Sequence, residues 1–231
     1  MSATHTAVRQ RTRAVAPQDK SERRAAIMRA AEVLLHRKPL GEFSVEELAH
    51  RAGLAKGTVY LYFGTREEVL LAVHAERTQQ LFDTIEKAVS ARSVTGRGVA
   101  RQVVAWLREH PEFLPLAAGC RAMLETNVGA QVAIDFKLGI GVRLSALGAR
   151  LELAYPALPR GSGAALLMNC YALMLGLWQL ADPPACLVDA LDHPDLRVFR
   201  IDFERQLSQA LVALWEGAAA PARSTAKKNK T

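Results

Sequence analysis

The stretch Ser44-Val45-Glu46-Glu47-Leu48-Ala49-His50-Arg51-Ala52-Gly53-Leu54-Ala55-Lys56-Gly57-Thr58-Val59-Tyr60-Leu61-Tyr62-Phe63 reads as two short helices joined by a tight turn. Ser44 and Glu47 have the S-x-x-E spacing of a capping box, in which each side chain satisfies a free amide of the first turn. Val45, Leu48, Ala49 and Ala52 follow at helical spacing and give that helix one apolar face. Gly53 can take the left-handed conformation that ends a helix with little steric penalty. A second helix is expected from about Ala55 to Phe63. Its Val59 and Phe63, four residues apart, share a face and can close a small core with Leu48 and with Leu34 or Leu35. Thr58, Leu61 and Tyr62 occupy a different face, beside Lys56 and Gly57 at the helix start. Hydroxyl, methyl and amide groups next to a cation suit base edges and phosphates in a major groove. A helix-turn-helix presents its second helix in this way, and the bland alternative is a purely structural helical hairpin.

Working outward, the 231 residues carry a formal charge of +7 and a pI near 9.6, which favours an anionic partner without naming it. Arg9, Arg11, Arg13, Lys20, Arg23 and Arg24 crowd the start, and Arg223, Lys227, Lys228 and Lys230 the end. Both tails read as solubilising disorder that could add a salt-sensitive phosphate contribution. Cys120, Cys170 and Cys186 are too few and scattered for a disulfide framework, so a reducing cytoplasm is expected. The N-terminus lacks the apolar core of a signal peptide. Gly161 to Ala181 contains no charge and is long enough to span a bilayer, but it carries Asn169 and Gln179. A helix covered on both sides by its own domain and a partner gives the same pattern, so no membrane is expected.

The remaining pattern is helical throughout. The first helix is expected from Asp19 or Ser21 to Arg37, with Ile27, Ala30, Ala31, Leu34 and Leu35 buried and Pro39 and Gly41 stopping it. Thr65 and Glu68 repeat the capping-box spacing at the start of a long fourth helix reaching about Ser90. A fifth carries Val103, Trp106 and Leu107 and ends before Pro111. Pro111 is placed to open a sixth running to about Thr126. The seventh runs from near Asn127 to Tyr155, and Gly139, Gly141 and Gly148 inside it require a kink or a close helix contact. An uncharged eighth covers about Ser162 to Leu180, short helical turns are expected near 185–191, and the last runs from Leu196 or Ile201 to Trp215, ended by Gly217. The fold class is all-α with about nine helices. The domains expected are a disordered basic arm (1–19), a helix-turn-helix domain (20–77), a C-terminal helical domain (78–217) and a disordered basic tail (218–231).

Leu54-Ala55-Lys56-Gly57-Thr58-Val59-Tyr60-Leu61-Tyr62-Phe63-Gly64-Thr65-Arg66-Glu67-Glu68-Val69-Leu70 resembles the DNA-binding signature of the TetR family of one-component transcriptional regulators. With the helix before it, the resemblance covers roughly Ser21 to Arg77. It implies that Lys56, Thr58, Tyr60 and Tyr62 contact DNA, that Gly57 and Leu61 lie against bases, and that Ser44 and Arg66 touch the backbone. The residue chemistry agrees for Lys56 and Thr58, while Tyr60 fits the groove or the core equally well. Leu61 can read only apolar groups such as a thymine methyl, so base specificity through it is thin.

The resemblance further implies a homodimer formed by the last two helices, a double-stranded, pseudo-palindromic operator, and a small-molecule effector that relieves repression. Candidate effector contacts on the fifth to eighth helices are Trp106, Phe113, Leu116, Cys120, Met123, Asn127, Phe136, Met168, Asn169, Tyr171 and Trp178, apolar walls with a few polar handles suited to a hydrophobic or amphipathic molecule. Neither metal nor cofactor is expected. The six histidines have no H-x-x-x-H spacing, Glu125 and Asp135 sit on helices that could line the pocket but have no defined spacing, and the cysteines lack a visible base, so an enzyme is the less favoured reading. A ligand-independent, nucleoid-like DNA binder is the other alternative; the basic tails suit it, the large C-terminal domain does not.

Overall fold

The computed structural model describes residues 17–37, 42–90, 94–120 and 124–219. The basic arm before Pro17, the stop at Pro39 and Gly41, Met123 and the basic tail beyond Ala219 lie outside these residues. Nine α-helices are present among them: α1 (Pro17–Leu35), α2 (Val45–Ala52), α3 (Lys56–Tyr60), α4 (Arg66–Val89), α5 (Gly96–Glu109), α6 (Phe113–Gly119), α7 (Ala130–Ala154), α8 (Gly163–Ala181) and α9 (Phe203–Ala219). A 3₁₀ turn, Glu125–Asn127, lies between α6 and α7, three 3₁₀ segments (Ala185–Leu187, Ala190–Asp192 and Pro194–Phe199) lie between α8 and α9, and no strand occurs in the described residues. The fold is all-α.

Several boundaries differ from expectation. Helix α1 begins at Pro17, because a fixed φ and a missing amide suit proline to a first helical turn. Pro111 is not helical: it lies in a turn closed by the Phe113 amide on the His110 carbonyl at 3.1 Å, and α6 starts two residues later. Helix α9 runs through Gly217 to Ala219.

The caps follow the local chemistry. Ser44 Oγ accepts from the Glu47 amide at 3.1 Å while Glu47 Oε2 accepts from the Ser44 amide at 2.8 Å, a complete capping box. Gly53, at φ 68°, closes α2 on the Ala49 and His50 carbonyls. At α4 the box is displaced by one residue. Thr65 Oγ1 accepts from the Glu68 amide, but the Glu68 carboxylate reaches back past Thr65 to the Gly64 amide at 2.7 Å.

Two apolar cores share α4. The first joins Ile27, Ala31, Phe43, Leu48, Val59, Phe63, Val69 and Leu70, and is completed from the C-terminal half by Leu116, Cys120, Leu124 and Phe136. The second gathers Leu81, Phe82, Ile85, Val103, Trp106, Leu147, Leu166, Leu207 and Trp215. Helix α4, about 36 Å long at 1.5 Å per residue, runs from one to the other. Arg143 pairs with Asp83 and Glu86, and Arg150 with Glu86, fastening α7 along it.

The glycines of α7 divide. Gly148 meets Gly163 and Ala164 of α8 so closely that a Cβ at either glycine would overlap the other's backbone, whereas Gly139 and Gly141 face open space. Glu152 of α7 fixes the same corner by accepting from the Gly161 and Gly163 amides at 2.9 and 2.8 Å. Helix α8 is the one helix among the described residues long and apolar enough to cross a membrane, and 22% of its apolar window is buried within the single chain.

Candidate nucleic-acid interface and effector cavity

Helix α3 has five residues rather than the nine expected from Ala55 to Phe63. After Tyr60 the turn tightens: the Leu61 amide donates to Thr58 at 3.2 Å and the Tyr62 amide to Val59 at 3.0 Å. The chain must already be reversing, because Thr65 is extended (φ −137°, ψ 165°) to cap α4. Val59 and Phe63 remain the buried pair, against Leu48 and Leu34. The opposite flank faces solvent, with Lys56 and Gly57 exposed, Tyr60 47% and Leu61 79% exposed. Thr58 is half-buried, and Tyr62 is half-buried with its ring packed on the first core.

Polar groups around this flank are held within the protein. Lys56 Nζ donates to Glu46 Oε1 of α2, a bond that raises the lysine pKa and lowers that of the carboxyl. Arg66 donates to Glu67 Oε1 at 2.6 and 3.1 Å and to the Phe43 carbonyl at 3.3 Å. Arg24 of α1 lies 5.0 Å over the Phe63 ring.

Behind this unit, helices α4 to α9 enclose a cavity of about 440 Å³. Leu81, Phe82, Ile85, Val103, Leu144, Leu167, Met174, Leu211 and Trp215 are among its apolar lining. One end is polar. His74 is 2% exposed, its ring tilted against Phe113 at 5.4 Å and Phe136 at 5.8 Å, and its Nδ1 has no hydrogen-bond partner. Lys137 Nζ pairs with Glu125 Oε1 at 2.7 Å, and Cys120 Sγ donates to the same oxygen at 3.1 Å. Thr78 Oγ1 donates to the His74 carbonyl at 2.8 Å.

Burial sets the protonation states here. It pushes His74 down to about 4, helped by the Lys137 charge, so the imidazole is neutral. Burial and then the Glu125 hydrogen bond push the Cys120 thiol up to about 12. Burial, followed by the neighbouring Cys120 and Glu125, pushes Tyr171 up to about 12. For Glu125 burial pulls upward, but the hydrogen bonds from Lys137 and Cys120 hold the carboxyl below its usual value. A thiol this far from ionisation is a poor nucleophile, which suits a binding wall better than a catalytic centre.

A buried polar knot joins the cavity side to the helix-turn-helix. Glu112, just before α6, accepts from Arg77 Nε of α4 at 2.6 Å, and His36 Nε2 at the end of α1 lies 3.3 Å from its other oxygen. Arg77 also pairs with Glu32 of α1 at 3.2 Å.

Residues 27–73 match the domain described as bacterial regulatory proteins, tetR family, and residues 75–222 match the tetracyclin repressor-like C-terminal domain. The chain belongs to the TetR family. The HTH-type transcriptional regulator EthR of Mycobacterium tuberculosis is 44% identical over 52 residues, 22% of this chain and 24% of that protein. The fatty acid metabolism regulator protein of Bacillus subtilis is 30% identical over 56 residues, 24% of this chain and 29% of that protein. The chain thus matches between 24% and 29% of the length of these relatives. Among solved structures, a TetR transcriptional regulator from Rhodococcus sp. RHA1 superposes with a TM-score of 0.54 at 21% identity, covering 85% of this chain and 97% of that one. A putative TetR regulator from Mesorhizobium loti gives 0.55 at 18% identity, covering 86% and 96%. These share the fold.

Within this TetR fold, the residues singled out in the sequence fall into groups. Lys56, Gly57, Thr58 and Tyr60 lie on α3, Leu61 and Tyr62 on the turn after it, and Ser44 and Arg66 at the N-terminal ends of α2 and α4; Tyr60 and Leu61 point outward, whereas Tyr62, expected on the same outward face, packs its ring on the first core because the chain reverses there. Phe113, Cys120, Phe136, Met168 and Tyr171 come together on the cavity wall. Trp106 is instead packed between His110 and Phe113, Leu116 is buried in the first core, Asn127 ends the 3₁₀ turn before α7, Asn169 lines an outer groove between α8 and α9, and Trp178 packs at the edge of the second core. His74, Thr78 and Lys137 line the cavity without having been anticipated there, and of the two acids that could line it Glu125 does and Asp135 is not among the lining residues. The usable signal was His74 on the inward stripe of α4, one residue from Val73.

Proposed function

We propose that this TetR-family regulator is a ligand-responsive repressor that binds a pseudo-palindromic operator as a homodimer and leaves it when a hydrophobic or amphipathic effector fills the cavity. The carrying observation is the division of α4. Its first turns place Val69, Leu70 and Val73 in the helix-turn-helix core, and its later turns place Leu81, Phe82 and Ile85 on the cavity wall. An occupant that reshapes the wall therefore acts on the rod that carries α3. The knot of Glu112, Arg77 and Glu32 gives α6 a second grip on α1. The effector need only bind the released state better than the DNA-bound one.

Dimerisation through α8 and α9 fits the outer groove between them, whose small residues Ala165, Asn169, Ala213 and Gly217 allow close approach of a second pair of helices. That cover also accounts for an apolar α8 left largely open in one chain. Two α3 helices about 34–36 Å apart then meet successive major grooves on one side of the duplex, where Lys56 and Arg66 meet phosphates and Thr58, Tyr60 and Leu61 face base edges. A cytoplasmic site of action follows from the operator.

Selection of bound sequences from a random DNA pool tests this reading. The expected product is an inverted repeat with half-site centres about 10 base pairs apart or a multiple of it. Recovery of unrelated sequences, with affinity set by salt alone, would instead establish a nucleoid-like binder.

A further inference from the structure

The geometry points to one chemical class of effector: an uncharged, single-headed apolar molecule whose one hydrogen-bonding oxygen group, a ketone, ester or alcohol, is received by His74 at the polar end of the cavity. This deepens the ligand-responsive reading above and rests on it.

The first ground is an unanswered polar atom. His74 lines the cavity between Phe113 and Phe136, and its Nδ1 is buried without a partner, so a turn of the ring is needed to offer it to a guest; leaving such a group unpaired is costly. Neutral imidazole offers one donor and one acceptor, which matches a neutral oxygen function. The second ground is charge balance. Lys137, whose side chain is 62% exposed, already pairs with Glu125 at the mouth, and Cys120 already donates to Glu125. The Thr78 hydroxyl is taken by the His74 carbonyl. A carboxylate guest would have to share Lys137 with Glu125, and an ammonium guest would have to share with Lys137 the one carboxylate on the described wall. Either would bury a charge only partly compensated. The third ground is size. A volume of about 440 Å³ holds roughly fifteen non-hydrogen atoms at the ~30 Å³ that a water claims in the liquid. Most of those atoms must be hydrocarbon, because the rest of the wall is.

The test uses the full-length protein without DNA at pH 7.5. Binding of 2-tridecanone, 1-dodecanol, dodecanoate, dodecylammonium and dodecane, each below its aggregation limit, is followed by the fluorescence of the tryptophans, of which Trp215 lines the cavity. The ketone and the alcohol should bind at least tenfold more tightly than the carboxylate and the ammonium. His74→Phe should weaken the ketone about tenfold and leave dodecane unchanged. Tyr171→Phe, which keeps the ring, should weaken the ketone much less. Dodecanoate binding as tightly as the ketone, failure of every probe to bind, or equal ketone affinity in a folded His74→Phe protein each overturns the inference. Adding the selected operator separates the two levels. Probes that bind as ordered here yet leave operator affinity unchanged support the head-group site and refute ligand-responsive repression.

Discussion

At the scale of single residues, the account makes opposite demands on Glu46 and His74. Glu46 holds Lys56 in the free protein, so Glu46→Gln frees the lysine and removes a carboxylate from the path of the phosphates. Operator affinity should rise about threefold in low salt and less in high salt, as for any exposed pair; fluorescence anisotropy at two ionic strengths would read it. His74 makes its own contribution to acid sensitivity. Above pH 6.5 neither the folded nor the unfolded chain protonates it, and it contributes no pH dependence. As pH falls from 6.5 to 4 the unfolded chain takes up a proton that the folded one refuses, so stability is lost over that window, in total about 3 kcal/mol. Lys137 reinforces the refusal and Glu125 opposes it. The difference in unfolding free energy between the wild type and His74→Phe should change by about that amount between pH 7 and pH 4; a constant difference would mean that His74 is charged or solvated in the fold.

At the scale of elements, the α7–α8 corner carries the sharpest expectation. A methyl at Gly163 would collide with the Gly148 backbone, while one at Gly139 meets nothing. Gly163→Ala should cost about 1–3 kcal/mol, as overpacking does, and Gly139→Ala should be neutral or stabilising by up to about 1 kcal/mol, both from urea unfolding. Helix contacts of this kind explain what the sequence disclosed and what it withheld. Ser44, Glu47 and Gly53 mark α2 because a capping box and a left-handed glycine act within a few residues. Apolar spacing found α4, α5, α7, α8 and α9 for the same reason. The length of α3 was not legible, because its end is set by where Thr65 and Glu68 must start α4. Nor could spacing tell Gly148, which meets another backbone, from Gly139, which meets none. In the cavity, Phe113, Phe136 and Tyr171 announced themselves as large inward groups. Lys137 looks like an ordinary surface charge and Glu125 like one of two acids that could line the pocket, and only the packing of α7 beside the α6–α7 turn brings the two together at the cavity mouth.

At the scale of the whole molecule, the question is how an occupied cavity reaches DNA. Arg77 links α4 to both Glu112 before α6 and Glu32 in α1, so it stands where the two cores meet. Arg77→Ala leaves the fully buried Glu112 carboxylate without its cation and should cost about 3–5 kcal/mol of stability. Thermal unfolding would check this, and an unaltered midpoint would show that His36 and His110 alone hold Glu112. The broader claim is that the flank of α3 turned away from Val59 lies against the duplex. Gly57 tests it most directly, because an added methyl there touches nothing in the free protein. The operator dissociation constant of Gly57→Ala, measured beside its unfolding midpoint, should rise about tenfold or more for about 1–3 kcal/mol of lost contact while the midpoint stays level or rises. An unchanged dissociation constant would contradict the account, since it would mean that this flank does not face DNA.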